Sequence, residues 1–227
     1  MRLKHLIGAL TLAACALPAS AQEWLDTYEA DRFLTFGVRA GFNTSNATRF
    51  NEAATCNLDS WGTGFDAGVT VNLNFLNCVA VQPGFFFESR SHNYSYVEPS
   101  GSSAERFNIH EYGHTRNTTF KVPVMGVFTL TPGEGIRWSF EFGPCFTFGL
   151  GGSDKGTYEV GSEARRYSDG YYDNRHKFDF SLKMGSGVKI LEHYYLGIHY
   201  EAGCTKVWDN SLSGRNKAWV FTVGYDF

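Results

Sequence analysis

The sequence predicts an all-β protein: an eight-stranded antiparallel up-and-down transmembrane β-barrel, preceded by a cleaved signal peptide. Eight segments alternate between apolar and polar residues, which is the period of a strand with two unlike faces. The connections between them are alternately very short and long, as in a barrel that crosses a bilayer with tight turns at one end. The last strand keeps its alternation up to a terminal aromatic residue.

The N-terminus predicts a secretory signal peptide over residues 1–21, cut before Gln22. Two basic residues precede an apolar run over 6–17, and an Ala-x-Ala cleavage motif follows at 19–21. The run is too short for a transmembrane helix, which needs about 20 apolar residues. One alternative stays open, because the stretch "LAAC" resembles a lipoprotein cleavage box in which Cys15 would carry the lipid.

The remaining chain divides into a short segment and one barrel. Residues 22–32 are expected to form a periplasmic N-terminal segment, and 33–227 to form the barrel domain. Long connections rich in Gly, Ser and Asn follow the first, third and fifth strands, at 45–61, 94–114 and 151–175. The predicted strands are 33–44, 62–75, 78–93, 115–130, 135–150, 176–190, 193–207 and 216–227.

The two faces of these strands indicate which side meets lipid. One face is apolar and aromatic, and the other carries glycines and charges. A soluble protein would bury the aromatic face and blunt an edge strand with charge on that face, and no strand shows such a charge. We therefore expect an inverted barrel, in which twelve inward charges pair to close the lumen. These are Arg39, Asp66, Glu88, Arg90, Lys121, Arg137, Glu141, Asp179, Lys183, Lys189, Glu201 and Asp226.

The C-terminal stretch "AWVFTVGYDF" is expected to close the barrel by pairing with the first strand. Its aromatic residues alternate with small or charged ones up to Phe227. Outer-membrane barrels as a class carry such a terminal aromatic strand, so Tyr225 and Phe227 are expected to be the signal that the barrel-assembly machinery reads. With the signal peptide, this predicts insertion into the outer membrane with both termini periplasmic and the long loops extracellular.

Three segments resemble a known family, the porin-like, PorT-type outer-membrane β-barrels, which are eight-stranded and OmpA/OmpX-like. "FGVRAGFNTSN" is similar to its first strand and "FDFSLKMGSGVKI" to its sixth, while "TTFKVPVMGVFTL" resembles the fourth, with Pro123 between aliphatic residues. The resemblance covers the chain from about Phe33 and supports fold and location rather than an activity. Pro83 and Pro144 depart from a fully paired ladder and predict local bulges.

Charge and cysteine content limit the classes of partner. Loss of the signal peptide leaves 18 basic and 23 acidic residues, a net charge of −5, and no basic patch suits a nucleic acid. The four remaining cysteines are scattered, which argues against a zinc framework. They fall on opposite faces or ends of the predicted barrel, so we expect no disulfide among Cys56, Cys78, Cys145 and Cys204. We expect no cofactor, and a monomer in contact with outer-membrane lipid.

Two motifs suggest chemistry, and neither is favoured. "HEYGH" at 110–114 matches the zinc protease signature, but residues four apart in a strand lie about 13 Å from each other, too far to share one metal. His92 with Ser95, or His199, could serve a lipid-modifying barrel enzyme. His199 has inward parity, which favours a buried interior histidine instead. We therefore expect a protein that is not an enzyme.

The interior of an eight-stranded barrel is just wide enough for side chains, so function is expected in the loops. The favoured interpretation is a structural or adhesion and binding protein at the cell surface, with an extracellular protein or glycan as ligand. A narrow-channel porin is the alternative.

The third and fourth strands are expected to continue into the 94–114 connection. Outward residues change from Phe85 and Phe87 to Ser89, Ser91 and Asn93, which marks where lipid ends, while the alternation continues. We therefore predict a paired hairpin that rises above the membrane around a polar turn at 98–105. Its candidate binding residues are Tyr94, Tyr96, His110, Tyr112 and His114.

Deletion of Phe227 should lower the yield of assembled barrel, because it removes the aromatic residue expected to be recognised during insertion. The measurement is the fraction of outer-membrane protein that resists unfolding in detergent until it is heated. Phe227→Tyr, which keeps an aromatic terminus, is the matched control. An unchanged yield after the deletion, or recovery of the intact protein from the soluble periplasm, would contradict this prediction.

Overall fold

The structure is a computed structural model that describes residues 24–47, 57–59, 61–100, 107–173, 175–206 and 215–227. The predicted signal peptide, Cys15, Cys56 and the tip of the 94–114 connection at 101–106 lie outside the described residues. Within these ranges, no helix is long and apolar enough to span a membrane.

The described chain is built from ten β-strands, and every pairing between them is antiparallel. Eight long strands correspond to the eight predicted ones. Two short strands, β2 and β7, lie in connections that were predicted as loops. The strands are β1 Leu34–Ala47, β2 Asn57–Asp59, β3 Gly62–Leu76, β4 Val79–Ser100, β5 Phe107–Gly133, β6 Ile136–Val160, β7 Glu163–Gly170, β8 Phe178–Ile190, β9 Tyr194–Gly203 and β10 Asn216–Asp226.

The eight long strands close into a barrel. Their order is β4-β3-β1-β10-β9-β8-β6-β5, and β5 pairs with β4 to complete the ring. The first and last strands pair from Gly37 opposite Asp226 to Ala47 opposite Asn216. The predicted up-and-down barrel and the closure by the C-terminal strand are therefore confirmed. Closure removes the free edges that an open sheet would leave.

The barrel is inverted relative to a soluble protein. Large apolar side chains such as Phe65 and Phe87 are about 60% exposed on its outside, whereas the buried interior positions are mostly polar or charged. Aromatic residues ring both ends, with Trp61 and Trp219 at one and Trp138 and Tyr194 at the other. This distribution is typical of a barrel surrounded by lipid.

The end of the barrel with tight turns, here called the turn end, is crossed by the N-terminal segment. Thr131 N donates to the carbonyl oxygen of Trp24 at 2.8 Å, and Asn77 N donates to that of Tyr28 at 3.0 Å. Glu29 forms an isolated bridge with Leu76. The segment before β1 is thus attached to two of the turns.

The bulges expected at Pro83 and Pro144 do not occur. Pro83 lies opposite Val124 and Pro144 opposite Leu182, in registers that run without a shift through these positions. The register shifts lie elsewhere, and one of them, between Thr118 and Thr119 of β5, leaves Leu150 of β6 as an extra residue. A bulge of this kind reverses the faces of the strand beyond it.

At the end opposite the turns, β4, β5 and β6 continue beyond the barrel as a paired sheet. β4 and β5 stay in register from Arg90 opposite Asn117 to Ser100 opposite Phe107. β2 pairs with β4 on one side and β7 with β6 on the other. We call this five-stranded sheet, in the order β2-β4-β5-β6-β7, the extension sheet.

The connection at 151–175 differs from its prediction as a long loop. Residues up to Val160 continue β6, and a turn leads directly into β7. The glycines of this segment favour a loop when considered alone. Pairing with β5 on one side and β7 on the other gives their backbone groups the partners that a loop would take from water.

The paired extension predicts slow amide exchange outside the membrane. Amides at 90–97 and 109–117 should exchange hydrogen more than about tenfold more slowly than those at 24–30, because both sides of β5 are hydrogen bonded. Hydrogen–deuterium exchange with mass spectrometry on the purified protein in detergent measures this. Equally fast exchange in the two regions would mean that the hairpin does not stay paired.

Candidate functional site

The middle of the lumen holds a cluster of five buried charges, the central cluster, which consists of Glu88, Arg90, Lys121, Lys183 and Glu201. Lys121 Nζ lies 3.0 Å from Glu88 Oε1 and 2.5 Å from Glu201 Oε2. Arg90 contacts the same two carboxylates at 2.8 and 3.0 Å. Lys183 lies 3.6 Å from Glu201. Three cations from three strands therefore share two carboxylates.

A second group of charges lies nearer the turn end. Asp226 forms ion pairs with Arg39 at 2.6 Å and with Lys189 at 2.5 Å. The Arg39 guanidinium also stacks on the ring of Tyr195, with its carbon 4.3 Å from the ring centroid. Because Asp226 is on β10 and Arg39 on β1, this ion pair lies across the seam at which the barrel closes.

Glu141 sits in a separate buried network of uncharged donors and one histidine. His199 Nε2 lies 2.8 Å from Glu141 Oε2, and Tyr195 and Ser139 donate to Glu141 Oε1 at 2.7 and 2.9 Å. His199 therefore lies in the interior and not on a rim facing lipid. The carboxylate has three partners that would each lose an acceptor if Glu141 were removed.

Three predicted network members lie outside these groups, so the twelve charges do not form one network. Arg137 lies at the mouth of the turn end, where its half-exposed side chain pairs with Glu192 at 3.3 Å. Asp179 accepts from Thr205 and Asn216. Asp66 is buried and makes no ion pair with any described residue.

These side chains fill the lumen. Between them lie a cavity of about 40 Å³ beside the central cluster and one of about 20 Å³ near Tyr195 and His199. Each has room for a water molecule or two. Phe86 and Met125 also point inward, and both are buried.

A short segment after β7, which carries Tyr171, Tyr172 and Arg175, covers the lumen at the end opposite the turns. Tyr171 and Tyr172 pack over Gly149 and Gly152, whose missing side chains leave room for the rings. Arg175 stabilises the segment. It donates to the carbonyl oxygen of Tyr171 at 2.8 Å, and its guanidinium carbon lies 4.3 Å from the centroid of the Tyr171 ring. None of these residues was predicted from the sequence.

Two tyrosines brace the extension sheet on its inner face. Tyr94 of β4 and Tyr167 of β7 lie in one row with Gly113 and Gly156 between them. Their rings lie over the two glycines, and their hydroxyl oxygens are in direct contact. A side chain at either glycine would overlap a ring. We call this row the tyrosine brace.

Carboxylates fix both hydroxyl groups. Tyr94 donates to Asp154 at 2.7 Å and Tyr167 to Glu111 at 2.5 Å. Burial and these hydrogen bonds raise the pKa of Tyr94 and of Tyr167 well above the usual tyrosine value. Asp154 also pairs with Arg175 at 2.8 Å, which joins the brace to the cover of the lumen.

The candidate binding residues of the hairpin do not share one surface. Tyr94 faces inward in the brace, whereas His110, Tyr112 and His114 have the opposite parity and face outward. Tyr112 donates to Glu159 at 2.9 Å, and His114 Nδ1 lies 2.8 Å from Asn93 Oδ1. The backbone of Tyr96 lies opposite Glu111 and Asn57.

The two candidate enzyme motifs, HEYGH and His92 with Ser95, do not form a reactive site in the structure. The HEYGH residues lie in β5 as a strand, and the described ranges contain no group of His, Cys, Asp and Glu suited to a metal. His92 faces the interior, 3.4 Å from the hydroxyl of Ser45, while Ser95 is on the opposite face of β4. The structure thus does not bring His92 and Ser95 together.

The three described cysteines are free thiols. Cys145 is buried in the lumen, Cys204 is exposed, and Cys78 is buried close to the turn end. They lie on different faces or at different ends of the barrel, as their parity predicted.

Glu141→Ala should lower the free energy of unfolding by about 3 kcal/mol, because it leaves a buried histidine and two buried hydroxyl groups without their acceptor. Glu163→Ala is the control, since Glu163 is exposed and makes only a 3.7 Å contact with Arg165. Urea unfolding in detergent, followed by tryptophan fluorescence, compares the two variants. Equal effects would indicate a hydrated interior.

Comparison with known proteins places this geometry in a family. No curated protein matches the chain. Three solved barrels that resemble it are the attachment invasion locus protein Ail of Yersinia pestis in complex with the heparin analogue sucrose octasulfate, OprG of Pseudomonas aeruginosa, and the outer membrane enzyme PagL. Ail is 15% identical, with coverage of 86% of this chain and 100% of Ail and a TM-score of 0.45. OprG is 11% identical (88% and 98% covered, TM-score 0.36) and PagL 9% identical (82% and 98% covered, TM-score 0.35).

The family of this chain is shown by its match to a family model and not by any single solved structure. The family described as "Outer membrane protein beta-barrel domain" matches residues 20–208, which is most of the chain. The match agrees with the closed eight-stranded barrel and its lipid-facing aromatic surface. This chain therefore belongs to the outer membrane protein beta-barrel family.

Proposed function

We propose that this protein is a closed outer-membrane barrel that acts at the cell surface through its extension sheet, as a structural or adhesion and binding protein. The observation that carries the proposal is the filled lumen. Among the described residues, the central cluster, the Glu141 network and the cover of Tyr171 and Arg175 occupy the lumen and border cavities of about 40 and 20 Å³. A porin needs a continuous water-filled passage, so this interior favours a role outside the barrel.

The extension sheet has the properties of a binding platform. β5 and β6 are among the longest strands, with 27 and 25 residues, and much of this length lies beyond the membrane-facing band. The tyrosine brace and the Asp154–Arg175 ion pair hold the sheet in one conformation. A surface ordered before binding loses less conformational entropy when a ligand docks. We infer that its ligand is an extracellular protein or glycan.

This function requires a particular orientation, which we also propose. The extension sheet lies outside the cell and the turn end, with both termini, in the periplasm, after cleavage of residues 1–21. Lipidation of Cys15 is the alternative maturation. Tyr225 and Phe227 would be recognised by the assembly machinery, and the barrel would work as a monomer. The resemblance to the PorT-type branch of the family supports the same arrangement.

No reactive site supports an enzymatic role in the described part of the chain. Ser45 and His92 are a described pair that resembles a nucleophile and its base. Both face the lumen, and His92 lines the same cavity as Tyr171. A lipid substrate in the surrounding membrane would have no access to this pair. We therefore propose that the protein is not an enzyme.

Planar bilayer recording tests the closed lumen. We expect no steady conductance steps from the purified wild-type protein. Arg175→Ala should also stay silent, because it opens the cover but leaves the central cluster in place. Steady ohmic steps from the wild type would refute the proposal and favour the porin.

Binding is tested with a shortened hairpin in which residues 95–112 are replaced by a four-residue turn. Immobilised heparin and immobilised fibronectin serve as probes of a glycan and of a protein ligand. We expect the wild type to bind one of them and the shortened protein to lose most of that binding while it keeps its heat-resistant fold. Equal binding by both proteins, or binding of neither probe, would contradict the surface role.

A further inference from the structure

The outward face of the extension sheet begins directly above the lipid-facing band. Phe42 and Phe65 lie opposite each other on β1 and β3, and both are more than half exposed. In the same row the outward residues then become small and polar, with Ser89 on β4 and Thr118 on β5. The apolar surface therefore ends within one row, at the base of the extension sheet.

Cations follow in the next rows. Arg116 is in the row above Thr118, His114 and Lys155 share the row after it, and Arg166 lies in the third. Successive rows are about 7 Å apart along a strand. All four side chains are exposed, and Arg116, Lys155 and Arg166 have no ion-pair partner among the described residues.

The inner face of the same sheet has the opposite charge. Its carboxylates are Glu111, Asp154, Glu163 and Asp169. On the outward face the described strands carry one carboxylate, Glu159, which lies in the row of His110 near the tip and is bonded to Tyr112. The positive charge is therefore concentrated on the side that adjoins the membrane.

Two open grooves join on this face. The lower one, of about 350 Å³, is lined by Phe42, Phe65, Ser89, Ser91, His114 and Arg116. The upper one includes His114, Lys155 and Arg166. His114 lines both, so the surface passes without interruption from two phenylalanine rings to a set of cations.

We propose that this surface binds a membrane lipid with a phosphate headgroup. Its acyl chain lies along Phe42 and Phe65, and its phosphate sits between Arg116, His114 and Lys155. Arginine suits phosphate because its planar group donates two parallel hydrogen bonds. Anionic lipid surfaces attract basic residues close to the membrane. The proposal goes beyond the binding role of the extension sheet and does not depend on an extracellular ligand.

A membrane lipid fits this surface better than a soluble polyanion. A soluble anion would use only the cations and leave the exposed rings of Phe42 and Phe65 without a role. The cation nearest the membrane, Arg116, is one row above the last apolar residues, which is where the headgroup of a lipid lies when its chain covers them.

Native mass spectrometry of the purified protein, with equal amounts of phosphatidic acid and phosphatidylcholine in the detergent, tests the proposal. The wild type should retain one phosphatidic acid in preference to phosphatidylcholine. Arg116→Glu/Lys155→Glu should lower this retention by about tenfold or more, since each basic residue near an anionic lipid surface contributes about fivefold. Arg165→Glu, which reverses one exposed charge on the inner face, should have no effect.

Two further variants keep the test decisive. Arg116→Gln/Lys155→Gln replaces the charge-reversed protein if that protein does not reach the heat-resistant folded form. Phe65→Ser should also lower retention of phosphatidic acid, because it removes apolar surface from the groove. If the wild type shows no preference between the two lipids, or Arg165→Glu has the same effect as the outward variants, the proposal is wrong.

Two soluble probes separate the lipid from other anions. Inorganic phosphate that displaces phosphatidic acid at similar concentrations would show a simple ion site and overturn the proposal. Heparin binding that is lost in Arg116→Glu/Lys155→Glu, with phosphatidic acid retention unchanged, would assign the face to a glycan and overturn it as well. The lipid test is independent of the heparin and fibronectin tests. The protein with the shortened hairpin keeps Arg116 and Phe65, so it should still retain phosphatidic acid even if the wild type binds neither heparin nor fibronectin.

Discussion

The need to pair every backbone amide and carbonyl within a hydrocarbon layer is the constraint on which this structure depends. Lipid offers no hydrogen bonds, so a sheet can cross it only if its first and last strands meet. Here β1 and β10 pair over eleven positions, and this closure in turn fixes a narrow interior. The inward charges, the small residues among them and the outward aromatic surface are consequences of that geometry.

Closure gives the barrel a narrow interior in which charged side chains must be neutralised by their neighbours. A charge there has little access to water, and most of the buried charges have a partner on another strand. The central cluster joins β4, β5, β8 and β9, and Asp226 with Arg39 joins the two ends of the chain. The ion pairs therefore link strands that are distant in sequence, and the same side chains that neutralise the interior also occupy it.

Much of the barrel could be predicted from the sequence because each strand has two chemically distinct faces. Strand order, closure and the inward parity of Glu88 and Glu141 all follow from a period of two. The grouping of the charges could not be predicted, because it depends on how strands are staggered around the ring. The prediction of a long loop at 151–175 was wrong because of its glycine content. Gly156 indicates a loop in the sequence, whereas in the structure it gives room to the rings of Tyr94 and Tyr167. Asp154 and Arg175 were missed for the same reason.

The single extra residue at Leu150 determines which charges each face of the extension sheet carries. Below it the odd-numbered residues of β6 face the lumen, and above it the even-numbered ones do, so that Asp154 points in and Lys155 points out. If Leu150 were instead a regular member of the ladder, with no bulge, the two would be exchanged, and the electrostatic character of both faces of β6 beyond the membrane would be reversed, with the transmembrane part untouched. Gain or loss of a bulge at this position would thus change which charges the two faces of the extension sheet carry in one step, separately from the constraints on the barrel.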